Sequence, residues 1–300
     1  MSFWENKKNI KKAKEAFFNL NYELCIFYYE KVGIANLNYE DLEQLGLSYL
    51  FLEKMYQAKA IFKMLEEEVA NLTIFNCLFV IAEWEGKTEE VEYYIQKGLD
   101  FPEENANFYF SCALYYDRNQ DITNAKKYYL KTLSLDENHY WANVNLGSFY
   151  ENENKNDEAL VLFLKAKKVM PEESCASYNL GVVYTKLTNY KLALEYYQDE
   201  LTKKEPYLKT YSNLGLLYMN NFKDYKKAQE IFLQGLKVYP DEYELWYNLA
   251  CLYALMKDYK NATDCFKIVK YKDQHLSTLI ATDPDLEEYR KSYEYQEIIK

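Results

Sequence analysis

The sequence predicts an all-α fold, built as a solenoid from pairs of helices that repeat along the chain. Two observations carry this prediction. A phrase that begins Asn-Leu-Gly recurs, as in YNLGVVYTKLTNYKLALEYY at 178–197, and corresponding positions follow one another at steps of 33 to 35 residues. A nearly constant period of this length is typical of repeat proteins, in which each repeat buries its apolar face by stacking on its neighbours.

Several columns of residues keep the same register through the repeats. The first column is the Gly position, which holds Ala13, Gly46, Phe79, Ala113, Gly147, Gly181, Gly215 and Ala250. In most repeats a Tyr follows three residues later, and an Ala follows nine residues after that Tyr. The last column is large and mostly aromatic: Tyr29, Phe62, Ile95, Tyr129, Phe163, Tyr197, Phe232 and Phe266.

Each repeat is predicted to contain two helices. In the first helix Leu180, Gly181 and Tyr184 form one apolar stripe, and in the second helix Ala193 and Tyr197 form another. A Gly inside a helix costs about 1 kcal/mol relative to Ala, so a packing requirement must favour it. We therefore expect the aromatic column to pack directly against the backbone at the Gly column. Prolines near the repeat ends are expected to stop the second helices: Pro102, Pro171, Pro206 and Pro240.

With these columns the chain resembles the tetratricopeptide-repeat (TPR) family, and its tail resembles that of bacterial members. The resemblance implies an α-α superhelix, a right-handed TPR solenoid. About eight repeats would occupy residues 1–276, and residues 277–300 would form C-terminal capping helices. The repeats are expected to start near Asn6, Tyr39, Leu72, Ala106, Tyr140, Ser174, Leu208 and Tyr243.

Repeat seven departs from the common spacing. Ten residues lead from Tyr218 to Ala228, where other repeats have nine. The extra residue is expected in the turn at Asn220–Asp224.

The TPR resemblance also implies a binding surface, because one side of each first helix lines the concave groove in this family. The column before Leu-Gly holds four asparagines, and each carries a donor and an acceptor that could pair with the backbone of an extended peptide. Such a ladder is similar to that in the protein O-GlcNAc transferases. The same asparagines could instead bond a neighbouring helix. The predicted peptide-binding residues are Asn145, Asn179, Asn213, Asn248, Val144, Tyr178, Val182, Lys186, Lys209, Leu216 and Tyr247.

The two-carboxylate clamp that holds chaperone tails in this family is incomplete in the sequence. Lys209 and Asn213 could belong to its third helix, with Asn179 before them. The first helix then presents Val144 and Ser148 where Lys and Asn are needed, and no Arg completes the set. Binding of an acidic chaperone tail is therefore not expected.

Composition excludes several other partners and sites. The formal net charge is −11, which disfavours nucleic acid because a phosphate-binding groove should be basic. The most apolar stretch, at 72–82, has only eleven residues, too few to span a membrane, and no secretory signal is visible. The six cysteines form no Cys-x-x-Cys pair and there are two histidines, so we expect no metal, no cofactor and a cytoplasmic location.

The function that these features favour is a non-enzymatic scaffold that binds an extended peptide or a partner protein in the groove. The alternative is a sensor for a small peptide, which would act by conformational change. No catalytic residues are predicted, since two histidines and scattered carboxylates suggest no nucleophile–base pair. The partner, the pathway and the oligomeric state are not encoded in any of these patterns.

Overall fold

The computed structural model describes residues 3–69, 71–272 and 274–299, and these residues are mostly helical, with no strand among them. The chain divides into two compact bodies, Met1–Glu137 and Asn138–Lys300, here called the N-terminal and the C-terminal body. Within the described ranges, none of the helices combines the length and the apolar character that crossing a bilayer needs.

The N-terminal body consists of four consecutive helix pairs, counted over its described residues. A short 3-10 helix at Ile34–Asn36 separates the first two pairs. The helices are α1 (Phe3–Phe18), α2 (Tyr22–Val32), α3 (Tyr39–Phe51), α4 (Met55–Glu68), α5 (Leu72–Trp84), α6 (Thr88–Leu99), α7 (Ala106–Arg118) and α8 (Ile122–Leu135).

The C-terminal body continues the pattern with four further pairs over its described residues, and shorter elements follow them. A π-helical turn at Tyr218–Phe222 extends α13, and a 3-10 helix at Pro284–Leu286 follows α17. The helices are α9 (Tyr140–Asn152), α10 (Asn156–Val169), α11 (Ala176–Lys186), α12 (Tyr190–Glu200), α13 (Lys209–Leu217), α14 (Tyr225–Val238), α15 (Tyr243–Leu255), α16 (Tyr259–Lys270), α17 (Gln274–Thr282), α18 (Glu287–Arg290) and α19 (Gln296–Ile299).

The packing expected at the Gly column is confirmed. A methyl group at Gly181 would lie 2.5 Å from the ring of Tyr197, which is only 1% exposed. Gly147 and Gly215 meet Phe163 and Phe232 in the same way. The helix pairs therefore approach closely enough for an aromatic ring to rest on bare backbone, which explains why the sequence tolerates Gly inside a helix.

One common turn joins the two helices in seven of the eight described pairs. The residue before the second helix's N-cap is left-handed, as at Thr188 with φ 57°. The N-cap amide then bonds back across five residues, as Asn189 N–H does to the Tyr184 carbonyl at 2.8 Å. This closure satisfies a carbonyl at the end of the first helix. It recurs at Asn21, Lys54, Lys87, Asp121, Lys155 and Asp258.

Repeat seven closes differently, because it takes up one extra residue. The Asp224 N–H reaches the Tyr218 carbonyl at 3.0 Å, six residues back, while Lys223 keeps the left-handed conformation at φ 54°. The extra residue therefore lies between Tyr218 and Lys223, as a π-helical turn. The predicted turn at Asn220–Asp224 overlaps this segment, but the irregularity begins two residues earlier.

The last described elements pack onto α15 and α16. The Asp283 side chain accepts hydrogen bonds from the Asp285 N–H at 2.9 Å and from the Tyr247 hydroxyl at 2.7 Å. Leu286 and Tyr289 are buried, and the Tyr289 hydroxyl lies 2.6 Å from the Thr263 hydroxyl. The capping role of residues 277–300 and the 1–276 boundary of the array stay predictions.

Candidate functional site

The predicted peptide-binding residues lie on the first helices of four consecutive pairs, α9, α11, α13 and α15. All of these helices belong to the C-terminal body. We call the surface that they share the first-helix surface.

A cavity of about 270 Å³ opens on this surface between α11 and α13. It brings together four of the predicted residues, Val182, Lys186, Asn213 and Leu216. Its remaining lining residues were not predicted: Thr185, Tyr197, Leu217, Asn220 and Asn221. The cavity therefore has an apolar interior and a rim rich in carboxamides.

Asn213 is held in place by two phenols of the preceding repeat. Its Nδ2 donates to the Tyr178 hydroxyl at 3.2 Å and to the Tyr197 hydroxyl at 3.4 Å. Burial raises the pKa of both tyrosines, so the phenols remain protonated and neutral. Because Nδ2 is engaged, Oδ1 of Asn213 is the atom left to accept a hydrogen bond from a ligand.

Two other asparagines of the column, Asn179 and Asn248, have different surroundings. Asn145 and Asn179 are half-buried, and the Asn179 side chain makes no hydrogen bond within the described residues. Asn248 is only 8% exposed, and its Nδ2 has no partner in the described part of the chain.

The repeat register explains why Asn213 differs from Asn179 and Asn248. Tyr197, which Asn213 contacts, corresponds to Phe163 before Asn179 and to Phe232 before Asn248. A phenylalanine offers no hydroxyl, so these two amides lack the counterpart that anchors Asn213. The sequence left two roles open for these asparagines, pairing with a bound peptide or bonding a neighbouring helix. The Nδ2 atom of Asn213 bonds neighbouring helices.

The two lysines of the predicted site also differ. Lys186 ends α11 and is engaged by Glu151 of α9: its Nζ lies 2.5 Å from Glu151 Oε1 and 3.1 Å from the Glu151 carbonyl. Lys209, the first residue of α13, is exposed. The charge beside the cavity is therefore already balanced by a carboxylate.

Two predicted wall residues lie in the packed interior. Val144 is buried in a cluster with Tyr140, Ala166 and Ala176. Tyr247 is also buried, with its ring centroid 5.8 Å from that of Phe266. Both residues support the first-helix surface from beneath, and neither lines the cavity.

Glu200, which the sequence did not single out, fixes the start of α11. This residue is fully buried and is the last residue of α12, the helix that follows α11 in the chain. Its Oε1 accepts from the Cys175 and Tyr207 amides at 3.1 and 3.0 Å, and its Oε2 accepts from the Tyr178 amide at 3.3 Å. At the Cys175 and Tyr178 amides the carboxylate satisfies otherwise unpaired donors of the α11 N-terminus. The side chain of the N-cap residue, Cys175, makes no capping hydrogen bond to this helix.

Asn220 and Asn221 reach the cavity through the π-helical turn. The sequence signal for them was present, since the extra residue of repeat seven falls in this segment. It marked an irregular turn but did not show that the turn faces the predicted surface.

The chemistry at the cavity is that of recognition. Among the described residues, its lining contains one lysine, one threonine, three asparagines, one tyrosine and apolar side chains, with no carboxylate, cysteine or histidine. In the described ranges no group of three or more His, Cys, Asp or Glu side chains is arranged to hold a metal ion.

Comparison with known families identifies the repeats. A family model of the tetratricopeptide repeat matches residues 106–139, 208–242 and 243–267, and a second tetratricopeptide-repeat model matches 176–206. These segments coincide with the helix pairs α7–α8, α11–α12, α13–α14 and α15–α16. The total of about eight repeats stays a prediction.

Curated relatives match over part of the chain. The mouse protein O-mannosyl-transferase TMTC3 is 26% identical over 186 residues, which cover 56% of this chain and 20% of that protein. The anaphase-promoting complex subunit CDC16 of Saccharomyces cerevisiae is 24% identical over 188 residues, which cover 60% of this chain and 22% of that protein. The chain therefore spans about a fifth of the length of these relatives.

Solved structures share the fold. PilF of Pseudomonas aeruginosa has a TM-score of 0.61 at 20% identity, covering 69% of this chain and 94% of that chain. A MamA fragment from Desulfovibrio magneticus RS-1 has a TM-score of 0.50 at 18% identity, covering 57% of this chain and 96% of that one. With its register, its helix pairs and these matches, the chain contains tetratricopeptide repeats at the four matched helix pairs and has the all-α fold of tetratricopeptide-repeat solenoids.

Proposed function

We propose that this chain is a non-enzymatic scaffold that binds an extended polypeptide across the first-helix surface of its C-terminal body. The observation that carries the proposal is the cavity between α11 and α13, which unites Val182, Lys186, Asn213 and Leu216. An apolar interior with a few polar groups at the rim is the usual composition of a ligand site.

The spacing of the helices suits an extended ligand. Packed helices lie roughly 8–10 Å apart and a strand advances about 3.3 Å per residue, so successive first helices would meet about every third ligand residue. Asn179 and Asn213 occupy equivalent positions on α11 and α13. They could therefore bond main-chain groups about three residues apart, through the Asn179 amide and Asn213 Oδ1.

The tetratricopeptide repeats and the charge support a protein as the partner. TPR proteins generally mediate protein–protein interactions, and CDC16 is named as a subunit of a multi-protein complex. The net charge of −11 opposes nucleic acid, which needs basic surfaces.

A random library of displayed twelve-residue peptides, panned against the full chain, tests this function. We expect peptides to be enriched and to bind the isolated protein in calorimetric titration. Asn179→Ala should weaken binding about two- to tenfold through loss of one hydrogen bond of roughly 0.5–1.5 kcal/mol. The melting temperature of this variant should stay unchanged, because the Asn179 side chain makes no hydrogen bond within the described residues.

Val182→Asp and Glu195→Ala complete the comparison. Val182 lines the cavity, so a charge there should abolish binding. Glu195 lies exposed on α12, outside the cavity lining, so its truncation should leave binding unchanged. A library without binders, or binders indifferent to Asn179→Ala and Val182→Asp, would contradict the proposal.

A further inference from the structure

We propose that the extra residue of repeat seven is a binding device. It carries Asn220 and Asn221 to the rim of the cavity and makes the cavity a pocket for one uncharged, apolar side chain of the bound polypeptide. This inference rests on the proposed function and names what the site selects.

Packing within the array does not call for a π-helical turn. Repeats six and eight close the same turn with the regular five-residue hydrogen bond, Asn189 to Tyr184 and Asp258 to Tyr253. Repeat seven alone among the described helix pairs uses six residues, Asp224 to Tyr218. π-helical turns are rare and are frequently found at functional sites. In this chain the irregular turn coincides with a wall of the cavity.

The interior of the cavity selects an apolar group. Val182, Leu216 and Leu217 line it together with Tyr197. Its volume of about 270 Å³ is below the usual range of roughly 300–1,000 Å³ for small-molecule pockets. A single large aliphatic or aromatic side chain is an occupant of suitable size and polarity.

The rim selects main-chain groups over charged ones. Asn213 presents Oδ1 because its Nδ2 is bonded to Tyr178 and Tyr197. Asn220 and Asn221 are exposed at the rim, and each carries one donor and one acceptor. Such neutral groups match the N–H and C=O groups that flank an inserted side chain.

The nearby charge offers little to an ionic ligand. Among the described residues, Lys186 is the only cation that lines the cavity, and it is already paired with Glu151. Insertion of a carboxylate would have to compete with Glu151, and insertion of an ammonium group would find no carboxylate in the lining. A charged anchor would lose its hydration without gaining a partner.

Deletion of Asn221 tests the role of the extra residue. It restores the spacing of the other repeats, so the melting temperature should stay unchanged or rise while the pocket loses part of its wall. The random twelve-residue peptide library is panned against the wild type and the deletion variant. From the wild type we expect peptides with one shared Leu, Ile, Met or Phe position. That preference should be lost with the deletion variant.

Synthetic peptides from the wild-type selection give the quantitative test. Replacing the shared apolar residue by Ala should weaken binding about tenfold, since burial of a large aliphatic side chain is lost, and replacing it by Asp or Lys should weaken it further. With the deletion variant, the apolar and Ala peptides should bind within about twofold of each other.

The double substitution Asn220→Ala/Asn221→Ala keeps the chain length, so it tests the same asparagines even if the deletion variant does not fold. It should weaken all peptides about equally while preserving the apolar preference. The inference would be overturned if the double substitution left the affinity unchanged and the deletion variant kept the apolar preference. It would also be overturned if the peptides selected by the wild type shared no apolar position. In these cases the scaffold function would stand, whereas a wild type that binds no peptide would contradict both proposals.

Discussion

Gly181 and Tyr197 approach so closely that a single methyl group on Gly181 would lie 2.5 Å from two ring carbons of the tyrosine. The contact joins the first and second helix of one pair, sixteen residues apart in the chain. The same tyrosine contributes its hydroxyl to Asn213 and its ring to the cavity. One residue therefore links the packing of the repeat to the candidate site.

Gly181→Ala should destabilise the protein by roughly 1–3 kcal/mol through overpacking against Tyr197. Ala is the better helix former by about 1 kcal/mol, so a net loss of stability would have to come from the steric conflict. Chemical denaturation of wild type and variant measures the difference. In a double-mutant cycle, Tyr197→Leu should relieve part of the conflict. The double variant should therefore lose less stability than the sum of the losses in the two single variants. A Gly181→Ala variant as stable as the wild type would contradict the contact.

Asn248→Leu should stabilise the protein by roughly 1–2 kcal/mol. The Asn248 side chain is 8% exposed and its Nδ2 lacks a partner within the described chain. Burial of this donor therefore costs desolvation free energy that no hydrogen bond offsets, and replacing the amide removes that cost. The midpoint of thermal or denaturant unfolding measures the effect. The matched change Asn213→Leu should lower stability instead, because it breaks the bonds to Tyr178 and Tyr197. Equal effects of the two substitutions would show that the two sites do not differ as described.

Glu200→Ala should destabilise the C-terminal body by roughly 2–4 kcal/mol. The change leaves the backbone N–H groups of Cys175, Tyr178 and Tyr207 without the buried carboxylate that accepts from them. Hydrogen exchange at the start of α11 should speed up as well. Glu195→Ala, an exposed change on the same helix, should stay within about 0.5 kcal/mol of the wild type. If Glu200→Ala unfolds at the same midpoint as this control, the capping role is wrong.

The cysteines should resist alkylation in the native protein. Burial raises the pKa of Cys77, Cys112, Cys251 and Cys265 to about 12. A raised thiol pKa means less thiolate, so at pH 8 about one such thiol in ten thousand is ionised, and thiolate is the reactive form. Burial also raises the pKa of Cys175, which is the most accessible of the six and should react first.

Mass spectrometry after iodoacetamide treatment at pH 8 counts the modified cysteines. The native chain should take up at most one label over minutes, and the chain in concentrated denaturant should take up six. Raising the pH toward 10 should accelerate the native reaction. Rapid labelling of Cys112 or Cys251 at pH 8 would show that their surroundings are more open than described.

Much of the fold could be predicted from the sequence because its determinants are local and repeated. The spacing of Leu180, Gly181 and Tyr184 predicts a helix with one apolar stripe, and the aromatic column predicts what meets the glycine. The extra residue of repeat seven was visible as a spacing of ten. Its π-helical form was not, because the count does not say which carbonyl the Asp224 amide will reach.

The four asparagines show where prediction from the sequence ended. Residues of the same type at the same register position predict one shared role, but their surroundings come from side chains of the preceding repeat. A tyrosine hydroxyl engages Asn213, whereas the equivalent position before Asn179 and Asn248 is a phenylalanine. Whether an amide bonds a neighbouring helix or stays unpaired is therefore a property of the contact between repeats.

The sequence by itself determined the repeat family, the helix pairs and the close contact at the Gly column, because a short-range pattern of apolar and small residues dictates all three. Only the tertiary structure decided which predicted site residues share a cavity, that Glu151 balances Lys186, and that Glu200 caps α11 from the helix after it. These relationships depend on distances between atoms of different helices. The physical reason is that hydrogen bonds and ion pairs act over a few ångströms, so only the packed structure determines which groups can form them.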